Sequence, residues 1–151
     1  MIHSTAVIHQ KAEIGPDCEI GPYCVIGEHV VLGARCRLHS HVVIDGHTRL
    51  GTGNEIYPFA SVGLKTQDLK WRGGVTRTEI GDNNTIRECV TIHSATSDGE
   101  ATVIGSHANI LATANVGCML QLRAGVAQGK MNMQVRHVID LLDEAYGEGQ
   151  A

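Results

Sequence analysis

Aliphatic residues recur in this chain every six positions, and that period decides what it can fold into. The run is Ile2, Ile8, Ile14, Ile20, Ile26, Leu32, Leu38, Ile44, Leu50, Ile56 and Val62; it resumes at Ile80, Ile86 and Ile92, and again at Ile104, Ile110 and Val116. An amphipathic helix needs apolar residues three and four apart, and a half-buried strand alternates by two over a short run. A sustained period of six fits neither. It fits a short strand followed by a turn, repeated, with three hexads closing one coil and residues eighteen apart stacked on one face. The expected fold is all-β: a parallel β-helix, a solenoid whose coils lie one strand spacing, ~4.8 Å, apart. Gly follows the aliphatic residue at 15, 21, 27, 33 and 51, where it is expected to relieve corners needing positive φ.

Composition agrees with a stacked core of small and aliphatic side chains. Aromatic residues make up only 3% of the 151 residues while Gly numbers 18, too few large rings for an ordinary globular core. The net charge of −4 comes without a basic block, which argues against nucleic-acid binding. Ile2 already belongs to the repeat, so no leader is expected, no apolar run is long enough to span a bilayer, and the cytoplasm is the default location. The residue two before each aliphatic position is usually small, as at Ala6, Ala12, Cys18, Cys24, Cys36, Ala60, Ala108 and Ala114. Three of the five cysteines occupy that slot and need no role beyond that of small buried hydrophobes.

The period is interrupted twice. Between Val62 and Ile80 the skipped slots hold Asp68 and Gly74, so residues 63–79 read as a loop thrown out from the helix. Long loops on repeat scaffolds often carry function, and the plainer alternative is a solvated excursion. Between Ile92 and Ile104 the skipped slot is Asp98, which predicts a shorter surface loop. After Val116 the pattern fades, and Met131, Val135, Val138, Ile139, Leu142 and Ala145 follow helical spacing with Gly147 as a stop. The expected organisation is a β-helix over 1–122 and a linker with one short C-terminal helix over 123–151, the helix at roughly 131–146 and serving as a cap.

The segments between the aliphatic positions are more specific than the period. S-H-V-V-I-D-G-H-T-R-L-G (40–51), N-E-I-Y-P-F-A-S-V-G (54–63), Q-D-L-K-W (67–71) and T-R-T-E-I-G-D-N-N-T-I-R-E-C-V-T-I-H (76–93) closely resemble the acyl-ACP–UDP-N-acetylglucosamine O-acyltransferases of lipid A biosynthesis. The resemblance covers about residues 1–116 and includes loop residues that core packing would not dictate. It implies a left-handed β-helix assembled as a homotrimer, with sites between subunits. It implies transfer of a 3-hydroxyacyl chain from acyl carrier protein to the 3-hydroxyl of UDP-N-acetylglucosamine, with no metal and no organic cofactor. By motif, Gln67, Asp68 and Lys70 fall on the family's substrate-contacting Q-D-x-K loop, and His93 on the histidine ending V-T-I-H. A carboxylate can hold a sugar hydroxyl and a lysine can meet a phosphate as a point charge, although a lone histidine such as His93 is as often structural.

Two departures from that family matter. Where the family continues A-x-A-H-I-A-H-D-C, this chain reads Ala112-Thr113-Ala114-Asn115-Val116-Gly117-Cys118. Asn115 stands for the first histidine, and Cys118 for the catalytic general base. The family's further coils and multi-helix C-terminal domain have no counterpart, so the chain reads as shortened and its catalysis as impaired. Two readings of other kinds stand beside this one: a non-catalytic β-helical assembly module, and a zinc hydratase on the same kind of solenoid. The hydratase needs three histidines converging on one metal; His41 and His47 are six apart and so leave different faces of a coil.

Overall fold

The computed structural model describes residues 1–108 and, beyond them, the strands Ile110–Thr113 and Gln134–His137. Through residue 104 almost every hexad contributes one short strand: β1 (Val7–Ile8), β2 (Glu13–Ile14), β3 (Glu19–Ile20), β4 (Val25–Ile26), β5 (Val31–Leu32), β6 (Arg37–Leu38), β7 (Val43–Ile44), β8 (His47–Leu50), β9 (Glu55–Ile56), β10 (Ser61–Leu64), β11 (Arg77–Ile80), β12 (Thr85–Ile86), β13 (Thr91–His93) and β14 (Ala101–Ile104). They form three parallel sheets, ordered β1-β4-β7-β10-β13, β2-β5-β8-β11-β14 and β3-β6-β9-β12. Each sheet takes every third strand, which is the expected three-sided coil.

Through Ile56 the register is the one the period predicts, and Ile86 joins the same column after an insertion. Ile2 bridges Ile20, Ile20 pairs with Leu38, Leu38 with Ile56, and Ile56 with Ile86, all in parallel. Within a two-residue strand the first side chain faces out and the second faces in, as in Arg37–Leu38 and Val25–Ile26. The inward residues form one continuous core that includes Ile26, Leu38, Ile44, Leu50, Ile56 and Val62, each less than 3% exposed. Burying each such side chain contributes ~1.5–3 kcal/mol.

The glycines after the aliphatic residues work differently from the sequence expectation. Positive φ at the corners is carried mostly by other residues, among them Asp17, Tyr23, Arg35, His41, Phe59 and Asn83, with φ between 54° and 64°. Three of these corner N–H groups bond backbone of the coil before: Arg35 to Pro16 O at 2.9 Å, His41 to Pro22 O at 3.0 Å, Asn83 to Thr52 O at 2.8 Å. Those bonds offset a conformation that costs a non-Gly residue roughly 1–2 kcal/mol. What the glycines supply is clearance. A Cβ on Gly33 would lie 2.5 Å from the carbonyl of Gly51, and one on Gly15 2.6 Å from the carbonyl carbon of Gly33. Backbone stacked on backbone cannot give way, so any side chain there would force coils apart.

The small slot also holds a polar column. Cys18 and Cys36 donate their thiols to Gly33 O at 3.2 Å and Gly51 O at 3.1 Å. In the next coils the slot holds Asn54 and Asn84, both buried. Asn54 Nδ2 donates to Gly51 O and Gly81 O, while its Oδ1 accepts Asn84 N–H at 3.0 Å; Asn84 Oδ1 accepts Ala108 N–H at 2.8 Å. The Asn54 amide is tolerated because its own coil and the next satisfy both of its ends, whereas Asn84 Nδ2 has no partner among the described residues. Burial pushes the Cys24 and Cys36 thiols above their ordinary pKa, which makes them the inert packing groups the sequence suggested.

Residues 109–151 form a second compact unit. In it β15 (Ile110–Thr113) and β16 (Gln134–His137) pair in parallel, Leu111 opposite Val135. β16 falls inside the segment whose apolar spacing predicts a helix, so a continuous helix over 131–146 is not formed. Its backbone bonds run to β15, a long-range pairing that helical spacing does not register. The rest of the expected helix lies outside the described residues.

Candidate functional site

Both interruptions of the period leave the helix along the same edge. Leu50 pairs with Ile80 thirty residues on, and Val62 with Ile92 likewise, where undisturbed coils pair at eighteen. The first excursion therefore inserts twelve residues, and it does so between the sheet of β10 and the sheet of β11. Ile80 pairs with Ile104 twenty-four residues on, so the second inserts six at the same corner, one coil later. Two loops leaving one edge in successive coils must lie against each other. Gly63 makes the exit possible. It sits at φ +79° where the β10–β13 register shifts, and a side chain there would overlap the Thr48 hydroxyl and Asp45 O.

The larger excursion runs from Lys65 to Thr76, between β10 and β11. It is tied internally: Lys70 N–H donates to Asp68 Oδ1 at 2.9 Å, Asp68 N–H to Thr66 Oγ1 at 3.2 Å, and Trp71 N–H to Asp68 O at 3.1 Å. Lys65 Nζ lies 4.1 Å from the centre of the Trp71 ring, within cation–π range. The second excursion braces it. Ser94 N–H donates to Leu64 O at 2.9 Å, the buried Thr76 hydroxyl to Ser94 Oγ at 2.9 Å, and Val75 N–H to Asp98 Oδ1 at 2.7 Å. Thr96 Oγ1 donates to Asp68 Oδ2 at 3.2 Å. Between loop and coils is a cleft of about 200 Å³, with Gly46, His47, Gly63, Lys65, Trp71 and Ser94 in its wall.

The structure places the sequence-predicted residues as follows. Gln67, Asp68 and Lys70 are exposed on the larger excursion, as the motif implies. His93 ends β13 opposite Leu64, half-buried at the root of both excursions, and makes no hydrogen bond to Asp68 or Lys70 among the described residues. Asn115 and Cys118 lie outside the described residues. The sequence reading missed Ser94, Thr96 and Asp98; the available signal was that both skipped slots fall at one corner. Lys70 N–H holds the Asp68 carboxyl below the ordinary carboxylate range, helped by the Thr96 hydroxyl and the charges of Lys70 and Arg72. Asp68 is thus an anion at neutral pH. Its contribution to loop order is present above the ordinary carboxyl range and fades as pH falls through the lowered value.

Among the described residues no group of three His, Cys, Asp or Glu side chains is close enough together to hold a metal ion. His47 stacks on His29 with ring centres 4.3 Å apart, whereas His41 lies between Tyr23 and Phe59 at 5.0 and 5.1 Å. The two histidines do leave different columns. No helix among the described residues is long and apolar enough to cross a membrane.

Residues 1–34 and 11–46 match the model of the bacterial transferase hexapeptide (six repeats). With the three-sided parallel coil, this defines a hexapeptide-repeat protein of the bacterial transferase class. Within that class the chain is a relative of the UDP-N-acetylglucosamine acyltransferases. It is 51% identical to LpxA from Acinetobacter baumannii over 74% of this chain and 43% of that one, with a TM-score of 0.68. Against the Bacteroides fragilis LpxA, a UDP-N-acetylglucosamine acyltransferase, identity is 42% over 71% and 42% of the two chains, TM-score 0.67. Against the Arabidopsis UDP-N-acetylglucosamine acyltransferase it is 36% over 71% and 45%, TM-score 0.58. The chain spans less than half the length of these three. Their coils are left-handed, and a mirror-image coil would not superpose, so this β-helix is left-handed too.

Proposed function

We propose that the paired excursions form a sugar-nucleotide site and that the chain derives from an acyltransferase acting on UDP-N-acetylglucosamine. The observation carrying this is the Asp68 loop: an ionised carboxylate with unused lone pairs, a lysine two residues on whose N–H binds it, and a second loop bonded to the same carboxylate. Asp68 is suited to accept a sugar hydroxyl and Lys70 to meet a phosphate. In the reaction this reading assigns, the 3-hydroxyl oxygen attacks the thioester carbonyl of a 3-hydroxyacyl-acyl carrier protein. The C–O bond forms, the C–S bond breaks, and the hydroxyl proton passes through a base to the departing thiol. His93 would line the site rather than serve as that base, and Asn115 and Cys118 stand where the family's histidines are expected. No metal or organic cofactor takes part, and the cytoplasm is where both substrates would meet it.

Titration with UDP-N-acetylglucosamine tests the reading. Saturable binding is expected, with Asp68→Ala weakening it ~10-fold or more, as for loss of one charged hydrogen-bond partner. Equal binding by parent and variant removes Asp68 from the site.

The same reading makes the protein a homotrimer, and exposed apolar groups beside one corner support a contact there. Val7, Tyr23 and Phe59 are 64%, 58% and 62% exposed, and Val25 is partly so. Sedimentation should show a three-chain species; a single-chain species at micromolar concentration contradicts the trimer.

A further inference from the structure

Asp68 is exposed on the larger excursion, yet both of its oxygens are engaged. Lys70 N–H binds Oδ1, and the Thr96 hydroxyl, from the other excursion, binds Oδ2. Thr96 Oγ1 also stands 3.3 Å from Thr66 Oγ1, which in turn accepts Asp68 N–H. The second excursion is fixed by its own bonds: Asp98 Oδ1 accepts Val75 N–H, and Gly99 N–H donates to Val75 O at 2.9 Å. Gly74, at φ +104°, lets the chain pass against Asp98, since a Cβ there would lie 2.5 Å from Asp98 Oδ1.

We propose that Thr96 is a positioning residue, whose hydroxyl sets the direction in which Asp68 presents its free lone pairs to a bound sugar hydroxyl. This rests on Asp68 being a substrate contact. The torsion that turns an aspartate carboxylate is broad and weakly preferred. A single bond at Oδ1 leaves the carboxylate free to swing, and two bonds from different chain segments fix its plane. A ligand meeting a fixed carboxylate does not bear the entropy of ordering it. Thr96 reaches Asp68 only because the two insertions leave the same edge one coil apart.

The test compares Thr96→Val, which keeps the shape and removes the hydroxyl, with Thr96→Ser, which keeps the hydroxyl. Carbon-13 titration of the Asp68 carboxyl should show its midpoint rising in Thr96→Val and returning in Thr96→Ser, with thermal melting unchanged in both. An unchanged midpoint in Thr96→Val overturns the proposal. In UDP-N-acetylglucosamine titrations Thr96→Val should bind ~3–10-fold more weakly, the scale of one charge-assisted bond, and that loss should vanish in an Asp68→Ala background. A loss that persists there overturns the proposal as well. Were the parent not to bind the nucleotide, the proposed function would fall, and the carboxyl titration would by itself decide whether Thr96 orients Asp68.

Discussion

Replacing Ile44 with Asp is expected to abolish cooperative folding of the β-helix. Ile44 is wholly buried in β7, in register with Ile26 on one side and Val62 on the other. Removing a buried aliphatic side chain of this size costs ~2–5 kcal/mol. The carboxylate adds the penalty of an unpaired charge in an apolar stack, several kcal/mol more after relaxation. Together these rival the ~5–15 kcal/mol that holds a typical domain folded. Val103→Asp is the control, because Val103 faces outward from β14 and is 68% exposed. Circular dichroism should show no melting transition for Ile44→Asp and a nearly unchanged one for Val103→Asp. An unchanged melting temperature for Ile44→Asp would show that the register is wrong.

The second large effect concerns turnover. A sugar hydroxyl is a poor nucleophile at neutral pH and needs a base, a task histidine suits because its ordinary pKa lies near 7. Where that base is expected this chain has Cys118. An unperturbed thiol has a pKa of ~8.5 and is mostly protonated at pH 7. Loss of a general base typically costs ~10²–10⁴ in rate, so transfer by the parent chain is expected to fall that far below a relative that carries the histidine. Cys118→His restores the chemical group and is expected to raise the rate. A different route would have a Cys118 thiolate attack the thioester and carry the acyl chain itself, with His93 or His107 as base. Mass spectrometry after incubation with acyl carrier protein would then find the acyl mass on Cys118. Parent turnover at ordinary enzyme rates, ~1–10³ per second, would contradict the assignment of impaired catalysis.

Much of the fold was legible in the sequence because the core is written in one repeated slot. Ile2, Ile20, Leu38 and Ile56 stack as their spacing demands, and the buried cysteines follow from the slot they fill. The hexad glycines were misread, since a sequence shows that a side chain is absent without showing why. Clearance between stacked backbones and freedom at positive φ leave the same letter. The burial of Asn54 in the small slot could not be read along the chain, because one of the carbonyls that satisfy it, Gly81 O, belongs to the next coil. At the site, the motif around Asp68 and Lys70 could be read along the chain. Thr96 and Asp98 could not, since their partners lie 28 and 23 residues away. The coil arithmetic contained that proximity all the same, because both insertions follow the same sheet.

The most direct measurement is a map of backbone amide shifts on adding UDP-N-acetylglucosamine. Perturbations should concentrate at residues 65–76 and 93–99, including Asp68, Lys70 and Thr96, with the outward face of β3 and β6 undisturbed. Shifts centred on Glu19, Arg37 and His39, around the large cleft near Met1, or no shifts at saturating nucleotide, would contradict it.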